Sequence, residues 1–130
     1  MVRVPVLISI VFFFISCSST TAPHKESRET IQHGKKLFTN LGCVTCHSVT
    51  GEKRYGPSLN NILNTRVDVI ENGKTISIIV DKEYLKKSIM TPDFQKVVGF
   101  ERSKMSIPDI SAEEADCLVD YLVSVNSPAK

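Results

Sequence analysis

The most constraining feature of the sequence is the pentapeptide Cys43-Val44-Thr45-Cys46-His47. Two cysteines separated by two residues, with a histidine directly after them, are typical of three kinds of site. These are a zinc site, a thiol–disulfide redox site and a site of covalent haem attachment. Each kind needs different surroundings, so the rest of the chain discriminates among them.

The N-terminal segment predicts export. Arg3 supplies a positive charge, and Val6 to Ile15 is an apolar run that only Ser9 interrupts. A run of about ten residues is half of the ~20 that a transmembrane helix needs, but it matches the core of a signal peptide. Residues 1–16 are therefore predicted to be a signal peptide.

The residues that follow predict a lipid anchor. Ile15-Ser16-Cys17 resembles the lipobox of bacterial lipoproteins, in which the chain is cut before the cysteine and the cysteine sulfur is acylated. Phe14 stands where that motif usually has leucine. The alternative is ordinary signal-peptidase cleavage, which would leave a soluble periplasmic protein. We expect the lipoprotein, with residues 17–26 as a flexible polar tether.

Charge and cysteine content exclude two other classes. The chain has 16 Lys and Arg against 14 Asp and Glu, and its basic residues are scattered, which is not the clustered pattern of a nucleic-acid-binding protein. A framework of structural disulfides is also a poor interpretation. If Cys17 is acylated, a bridge between Cys43 and Cys46 would close only a very short loop, and Cys117 would have no partner.

Hydrophobic periodicity and turn signals predict three helices and a β-hairpin. The first and last helices begin at serine N-caps, Ser27 and Ser111, and Glu114 stands in the capping-box position of the last one. Asn72-Gly73 favours a tight hairpin turn. In chain order we expect a helix over 27–41, a hairpin over 67–80, a short helix over 82–90, an irregular segment over 93–110 and a helix over 111–125.

The surroundings of the Cys-x-x-Cys-His motif favour haem. Zinc usually takes four ligands, and Cys117 and His24 have no metal-ligand spacing relative to the cysteine pair. A thioredoxin-like site would follow a strand in a βαβ unit, whereas this motif follows an amphipathic helix. Two thiols can instead add to the two vinyl groups of haem while the adjacent imidazole reaches iron. Export agrees with this interpretation, because covalent haem is attached outside the cytoplasm in bacteria.

The residues around the motif resemble a known family. GKKLFTNLGCVTCHSV, residues 34–49, is similar to the N-terminal helix and haem loop of class I c-type cytochromes. GPSL, residues 56–59, resembles their GPxL loop, and DYL, residues 120–122, resembles a contact of their C-terminal helix. The likeness covers about residues 30–125. It is strongest to the cytochrome c domain fused to subunit II of some bacterial haem–copper oxidases.

This resemblance implies the fold and the main site residues. Residues 27–127 would form an all-α class I cytochrome c fold, with N- and C-terminal helices crossing, haem in the core and a small β-hairpin insert. Thioether bonds from Cys43 and Cys46 would hold one haem c, and His47 would bind the iron. The Pro57 carbonyl would accept a hydrogen bond from the other ring nitrogen of His47. Two further haem contacts are implied: Leu59 in the apolar wall, and Arg66 beside a propionate, with a solvated surface arginine as the alternative for the latter.

The sixth iron ligand has three candidates, Met90, Met105 and His33. Met90 ends a short helix, where methionine is usually core filler, and His33 precedes His47 too closely to reach the opposite face of the haem. Met105 lies in an irregular loop before the last helix, where class I cytochromes present their methionine. We therefore predict Met105. Proline, which often follows that methionine directly in the family, comes only at Pro108, which predicts a looser loop.

A His/Met pair would fill both axial positions and raise the reduction potential, which favours one-electron transfer over oxygen or peroxide chemistry. We expect a monomeric, non-enzymatic, periplasmic electron carrier, anchored at the membrane, that serves a respiratory oxidase or reductase and binds no nucleic acid or small-molecule substrate. Arg102 and Lys104 flank the ligand loop, where they would either steer an acidic partner or be ordinary solvated side chains. Two alternatives stay open. One is a haem sensor or small peroxidase-like enzyme with a labile sixth ligand, and the other is a fixed subunit of a larger complex.

Overall fold

The computed structural model describes residues 27–127. The predicted signal peptide, the tether and Cys17 lie outside these residues. In chain order the described elements are α1 (Arg28–Asn40), α2 (Cys43–Cys46), β1 (Arg66–Glu71), β2 (Lys74–Ile79), α3 (Lys82–Met90), β3 (Lys96–Val97) and α4 (Ala112–Asn126). Over residues 27–127, none of the helices combines the length and the apolar character needed to span a membrane.

Helices α1 and α4 cross at a glycine. Gly34 of α1 lies so close to the backbone carbonyl of Cys117 that an added Cβ would come within 2.6 Å of the carbonyl carbon. A Cβ there would also lie 2.9 Å from the Cβ of Tyr121. One turn further along α1, the rings of Phe38 and Tyr121 pack at 5.5 Å between centroids. The missing side chain therefore allows the two backbones to touch and the aromatic pair to close the crossing.

Both long helices begin as the sequence predicts. The hydroxyl of Ser27 accepts a hydrogen bond from the Thr30 amide, and the hydroxyl of Ser111 accepts one from the Glu114 amide, in each case within a capping box. Thr30 also donates from its hydroxyl to the buried carboxylate of Asp120 at 2.7 Å, which ties the start of α1 to α4. The apolar stripe of α4 is buried and forms much of the core: Ala115, Leu118, Val119 and Leu122.

The predicted hairpin is present and carries one additional strand. Asn72 and Gly73 connect β1 to β2 with φ of 50° and 75°, the left-handed backbone that such a turn requires. Strand β3 pairs antiparallel with the other edge of β1, so the strand order is β2-β1-β3. Residues 96–97, predicted to be irregular, are too few to show an alternating pattern. Val69 of β1, which pairs with Val97, is fully buried.

The C-terminal end of α4 holds the loop that precedes the hairpin. The side-chain oxygen of Asn126 accepts from the Ile62 amide at 2.7 Å, and its side-chain nitrogen donates to the Leu59 carbonyl at 2.9 Å. The same nitrogen donates to the Leu122 carbonyl at 2.8 Å. One amide side chain thus forms hydrogen bonds with backbone groups of an irregular loop and of the last turns of a helix. The result is the predicted fold: crossing terminal helices with a small sheet inserted between them.

Candidate functional site

An apolar cavity of about 530 Å³ lies in the middle of the fold. It is bounded by the end of α1, by α2, by the loop that follows α2, by α3, by the segment between β3 and α4, and by α4 itself. The predicted site residues that line it are Cys43, Cys46, His47, Pro57, Leu59 and Met105. Residues more than sixty positions apart in the sequence therefore converge on one apolar space.

The cysteine pair forms one turn of helix at the edge of this cavity. Gly42 adopts φ 76°, a left-handed conformation that lets α1 end and α2 begin in a new direction. Cys43 and Cys46 stand three residues apart on α2, so both side chains lie on the same side. Both are half-buried free thiols. Burial raises the pKa of Cys43, and the proximity of Cys46 adds to the increase.

The imidazole of His47 is fixed from two directions. Its Nδ1 lies 2.8 Å from the Pro57 carbonyl oxygen. Because a carbonyl can only accept, Nδ1 donates, and the lone pair of Nε2 is left for a metal. The ring packs flat against Gly56, where an added Cβ would lie 2.6 Å from Cε1 of His47. The hydrogen bond expected between His47 and Pro57 is therefore observed.

The loop between His47 and Pro57 is closed by a hydroxyl–carboxylate network. Ser48 is buried, its hydroxyl accepts from the backbone amides of Thr50 and Glu52 at 3.0 and 3.2 Å, and it donates to the Glu52 carboxylate. Thr50 donates to the same carboxylate at 2.5 Å. These bonds, with that from Ser48 first, lower the pKa of Glu52 to about 2. The carbonyl of Ser48 accepts from the Leu59 amide at 2.7 Å, so the network is connected to the segment that carries Pro57.

Of the three candidates for the sixth ligand, Met105 lines the cavity. Met90 ends α3 and does not belong to the lining, while His33 is exposed on α1 at a separate surface depression that Cys117 also borders. The cavity therefore has an imidazole and a thioether in its wall. The iron-binding roles of His47 and Met105 stay predictions.

Arg66 lies elsewhere. It is exposed at the first position of β1 and does not belong to the cavity lining, whereas its neighbour Val67 does. The alternation of a strand turns these two adjacent side chains to opposite faces. The predicted contact of Arg66 with a propionate stays a prediction, and it would require the long side chain to reach back to the cavity.

Sequence reasoning missed Tyr55, which connects two sides of the cavity. Its hydroxyl accepts from the Lys104 amide at 3.3 Å, and its carbonyl accepts from the Ser103 hydroxyl at 2.9 Å. Lys96 of β3 donates from its side chain to the Ser103 carbonyl at 3.2 Å. The partners of Tyr55 are 48 and 49 residues away, so no local pattern could have found them. The one local sign that this residue belongs to the site was its position as an aromatic residue directly before Gly56-Pro57.

The residues of the cavity fit a covalently attached haem. Two thiols on one helical turn can form the two thioether bonds, and an adjacent imidazole with a free Nε2 can bind iron. The lack of a side chain at Gly56 makes room for the imidazole in this orientation. The remaining wall is largely apolar: Phe38, Leu59, Ile62, Leu85, Phe100, Leu118 and Leu122. A zinc site would need a different donor set, and residues 27–127 contain no group of three or more His, Cys, Asp or Glu that could hold a metal ion.

The comparison with protein families agrees with this chemistry. The family described as "Cytochrome c" matches residues 31–126. An engineered cytochrome c from Rhodothermus marinus, Rma TDE, is 17% identical, with 82% of this chain and 85% of that chain covered and a TM-score of 0.49. The same protein bound to a carbene intermediate, 1-ethoxy-1-oxopropan-2-ylidene, is also 17% identical, with 82% and 86% covered and a TM-score of 0.48. None of the curated proteins matches the chain.

Proposed function

We propose, from the premise that this chain belongs to the cytochrome c family, that it is a one-electron carrier with iron bound between His47 and Met105. The family binds covalent haem c through a cysteine pair, which in this chain is Cys43 and Cys46. When bound, haem c supplies an Fe(III)/Fe(II) couple that exchanges one electron at a time. The chain's own residues determine whether that couple is used for electron transfer or for ligand chemistry.

The observation that carries the proposal is that an imidazole and a thioether line the same apolar cavity. Two protein ligands would leave no open position for oxygen or peroxide. A thioether stabilises the ferrous state more than a second imidazole does, and an apolar surrounding acts in the same direction. Both effects raise the reduction potential. These features favour an electron carrier over an enzyme.

Fixed ligands also suit fast electron transfer. The hydrogen bond from Nδ1 of His47 to the Pro57 carbonyl keeps one tautomer and one ring orientation in both oxidation states. The backbone of Gly56 lies against the ring, and its amide donates to the Cys46 carbonyl at 2.9 Å. The imidazole therefore has little freedom to move when the charge of the iron changes. This keeps the reorganisation energy of electron transfer small.

The test is the absorption spectrum of the full chain, oxidised and reduced, after expression in a host that attaches haem covalently. We expect a sharp reduced α-band and a far-red sulfur–iron band in the oxidised protein. Met105→Ala should abolish the far-red band, and Met90→Ala, the matched control, should retain it. Attached haem without that band in the wild type, with ready binding of carbon monoxide, would instead support a sensor or a peroxidase-like enzyme. Lack of attached haem would overturn the proposal.

We further propose that the carrier is exported to the periplasm, anchored through Cys17 and oxidised or reduced by a respiratory oxidase or reductase. The proposal for Cys17 rests on the sequence of residues 1–17 alone. Replacing Cys17 with serine should move the protein from the membrane fraction to the soluble fraction. If the wild type is already soluble, the anchor is wrong and ordinary cleavage is the better interpretation.

The surface at the cavity mouth supports an acidic protein partner. Tyr55 and Ile107 line the cavity and expose 57% and 69% of their surface, and Lys104 beside them is also exposed. An exposed apolar surface beside a basic residue is typical of a transient docking site, to which charge attracts the partner. Lys104→Glu should slow electron exchange with an acidic partner at low salt, whereas Lys35→Glu on α1 should leave the rate nearly unchanged. Equal effects of the two reversals would exclude this surface.

A further inference from the structure

Tyr55 belongs to the loop that carries the proximal side of the site. The next residue, Gly56, lies against the His47 ring and donates its amide to the Cys46 carbonyl at 2.9 Å. Pro57 follows and accepts the hydrogen bond from His47. The backbone position of Tyr55 is therefore determined by the same contacts that hold the proximal imidazole.

The two hydrogen bonds of Tyr55 lead to the opposite side of the cavity. The Ser103 hydroxyl donates to the Tyr55 carbonyl at 2.9 Å, and the Lys104 amide donates to the Tyr55 hydroxyl at 3.3 Å. Ser103 and Lys104 directly precede Met105. One residue thus bonds both the main chain and a side chain of the segment that presents the thioether.

The segment has few other supports. Lys96 donates to the Ser103 carbonyl at 3.2 Å, and the Ser103 amide donates to the Phe100 carbonyl at 3.0 Å. Between residues 105 and 110, no hydrogen bond is formed with any other residue of the described range 27–127. Ile107 in this stretch is largely exposed. At the other end of the segment Ile110 packs against the core, so the position of Met105 depends on that anchor and on the bonds made just before it.

We propose that Tyr55 is a positioning residue for the sixth iron ligand, acting as a latch between the His47 loop and the Met105 loop. This inference rests on the proposed function, because it concerns Met105 as that ligand. When both hydrogen bonds are made, the segment at residues 103–104 is held against the proximal loop, and the thioether stays at the cavity. When they break, residues 103–109 can move away and open the sixth position to external ligands.

The test uses the full haem-loaded chain and the variant Tyr55→Phe, which keeps the ring and removes the hydroxyl that Lys104 binds. Three quantities are measured: the far-red sulfur–iron band, the rate at which imidazole binds to the oxidised protein, and the hydrogen exchange of the Lys104 amide. Imidazole can bind only after Met105 has left, so its rate reports how often the latch opens. We expect a rate increase of about two- to tenfold, the range that one net hydrogen bond corresponds to, and faster exchange at Lys104.

One control and one further variant separate the latch from other effects. Tyr121→Phe removes a hydroxyl from a buried ring that packs on Phe38 and does not belong to the cavity lining, so it should leave all three quantities unchanged. Ser103→Ala removes the second hydrogen bond and should raise the imidazole rate as Tyr55→Phe does. Rates and exchange in Tyr55→Phe equal to those of the wild type would overturn the latch.

The proposed function fails in a different way. If the wild type and Met105→Ala have the same far-red spectrum, then Met105 is not the ligand and the latch has nothing to position. If that band depends on Met105 but the imidazole rate and the Lys104 amide exchange of Tyr55→Phe equal those of the wild type, the function stands and the latch is wrong. The Met105→Ala comparison therefore distinguishes the two failures.

Discussion

Gly34 provides the sharpest test of the fold, because two physical effects predict opposite signs for Gly34→Ala. In the interior of a helix, alanine is favoured over glycine by about 1 kcal/mol, so helix propensity alone predicts stabilisation. At this crossing, however, the new Cβ would lie within 2.6 Å of the Cys117 carbonyl carbon and 2.9 Å from the Tyr121 Cβ. Neither neighbour is the flexible end of a side chain.

We expect the steric effect to dominate. Ordinary contact between carbon atoms begins at roughly 3.5 Å, so α1 and α4 would have to separate by several tenths of an ångström or more. Overpacking of a well-packed interior costs about 1–3 kcal/mol and occasionally more, and here the obstacle is backbone. Because the obstacle is backbone, we take the upper end of that range, and after subtraction of the propensity gain we expect a net loss of about 2 kcal/mol in the free energy of unfolding. For a domain of this size that corresponds to a decrease in Tm of roughly 8–16 °C.

The assay is urea unfolding of the haem-loaded protein, followed by circular dichroism, with Lys35→Ala as the matched control. Lys35 is the next residue of α1 and is exposed, so its replacement should change stability by no more than about 0.5 kcal/mol. Stability equal to or greater than that of the wild type in Gly34→Ala would refute the close crossing, since propensity would then have prevailed.

Three further predictions concern the site and its supports. Gly56→Ala should displace the His47 ring, because the added Cβ would lie 2.6 Å from its Cε1; we expect an altered haem spectrum and a lower yield of haem-loaded protein, which quantitative spectra would check. Asn126→Ala should lower the free energy of unfolding by about 2–3 kcal/mol, because it removes four hydrogen bonds, the one from the Leu63 amide being long, and leaves the Leu59 carbonyl without its donor; urea unfolding measures this. The pKa of Glu52 is lowered from 4.5 to about 2, so its contribution to stability is complete above pH 4.5 and is lost as the pH falls towards 2. Glu52→Gln should therefore show a smaller loss of stability than the wild type between pH 5 and about pH 2.5.

Local signals predicted the helices and the hairpin well, because each depends on residues close in sequence. Ser27 and Ser111 cap their helices through amides three residues away, and Asn72-Gly73 forms its turn within four residues. The hydrogen bond between His47 and Pro57, which the family resemblance implied, also joins residues only ten positions apart in one loop. Features that depend only on residues close in sequence can be predicted without knowledge of the tertiary structure.

The features that sequence reasoning missed are non-local or too short to carry a pattern. Strand β3 has two residues, and only its pairing with Val69 and Ile70 of β1 makes it a strand. Arg66 could be placed near the hairpin but not on one of its faces, because the register of the strand determines which side chains turn towards the cavity. The contacts of Tyr55 join residues 48 and 49 positions apart, so only the tertiary fold brings the partners together.

This difference between the two sides of the site has a consequence for function. His47 is held by a bond within one short loop, whereas Met105 lies between a few long-range bonds at residues 103–104 and the packed side chain of Ile110, in a stretch with little other support. Segments with few buried contacts and exposed backbone open at a lower free energy than the rest of a fold. If His47 and Met105 bind the iron as proposed, the first opening of the haem-loaded protein should therefore release Met105 and not His47. The strength of the Tyr55 contacts would then determine how strictly this protein acts as an electron carrier, since every opening of that segment gives external ligands access to the iron.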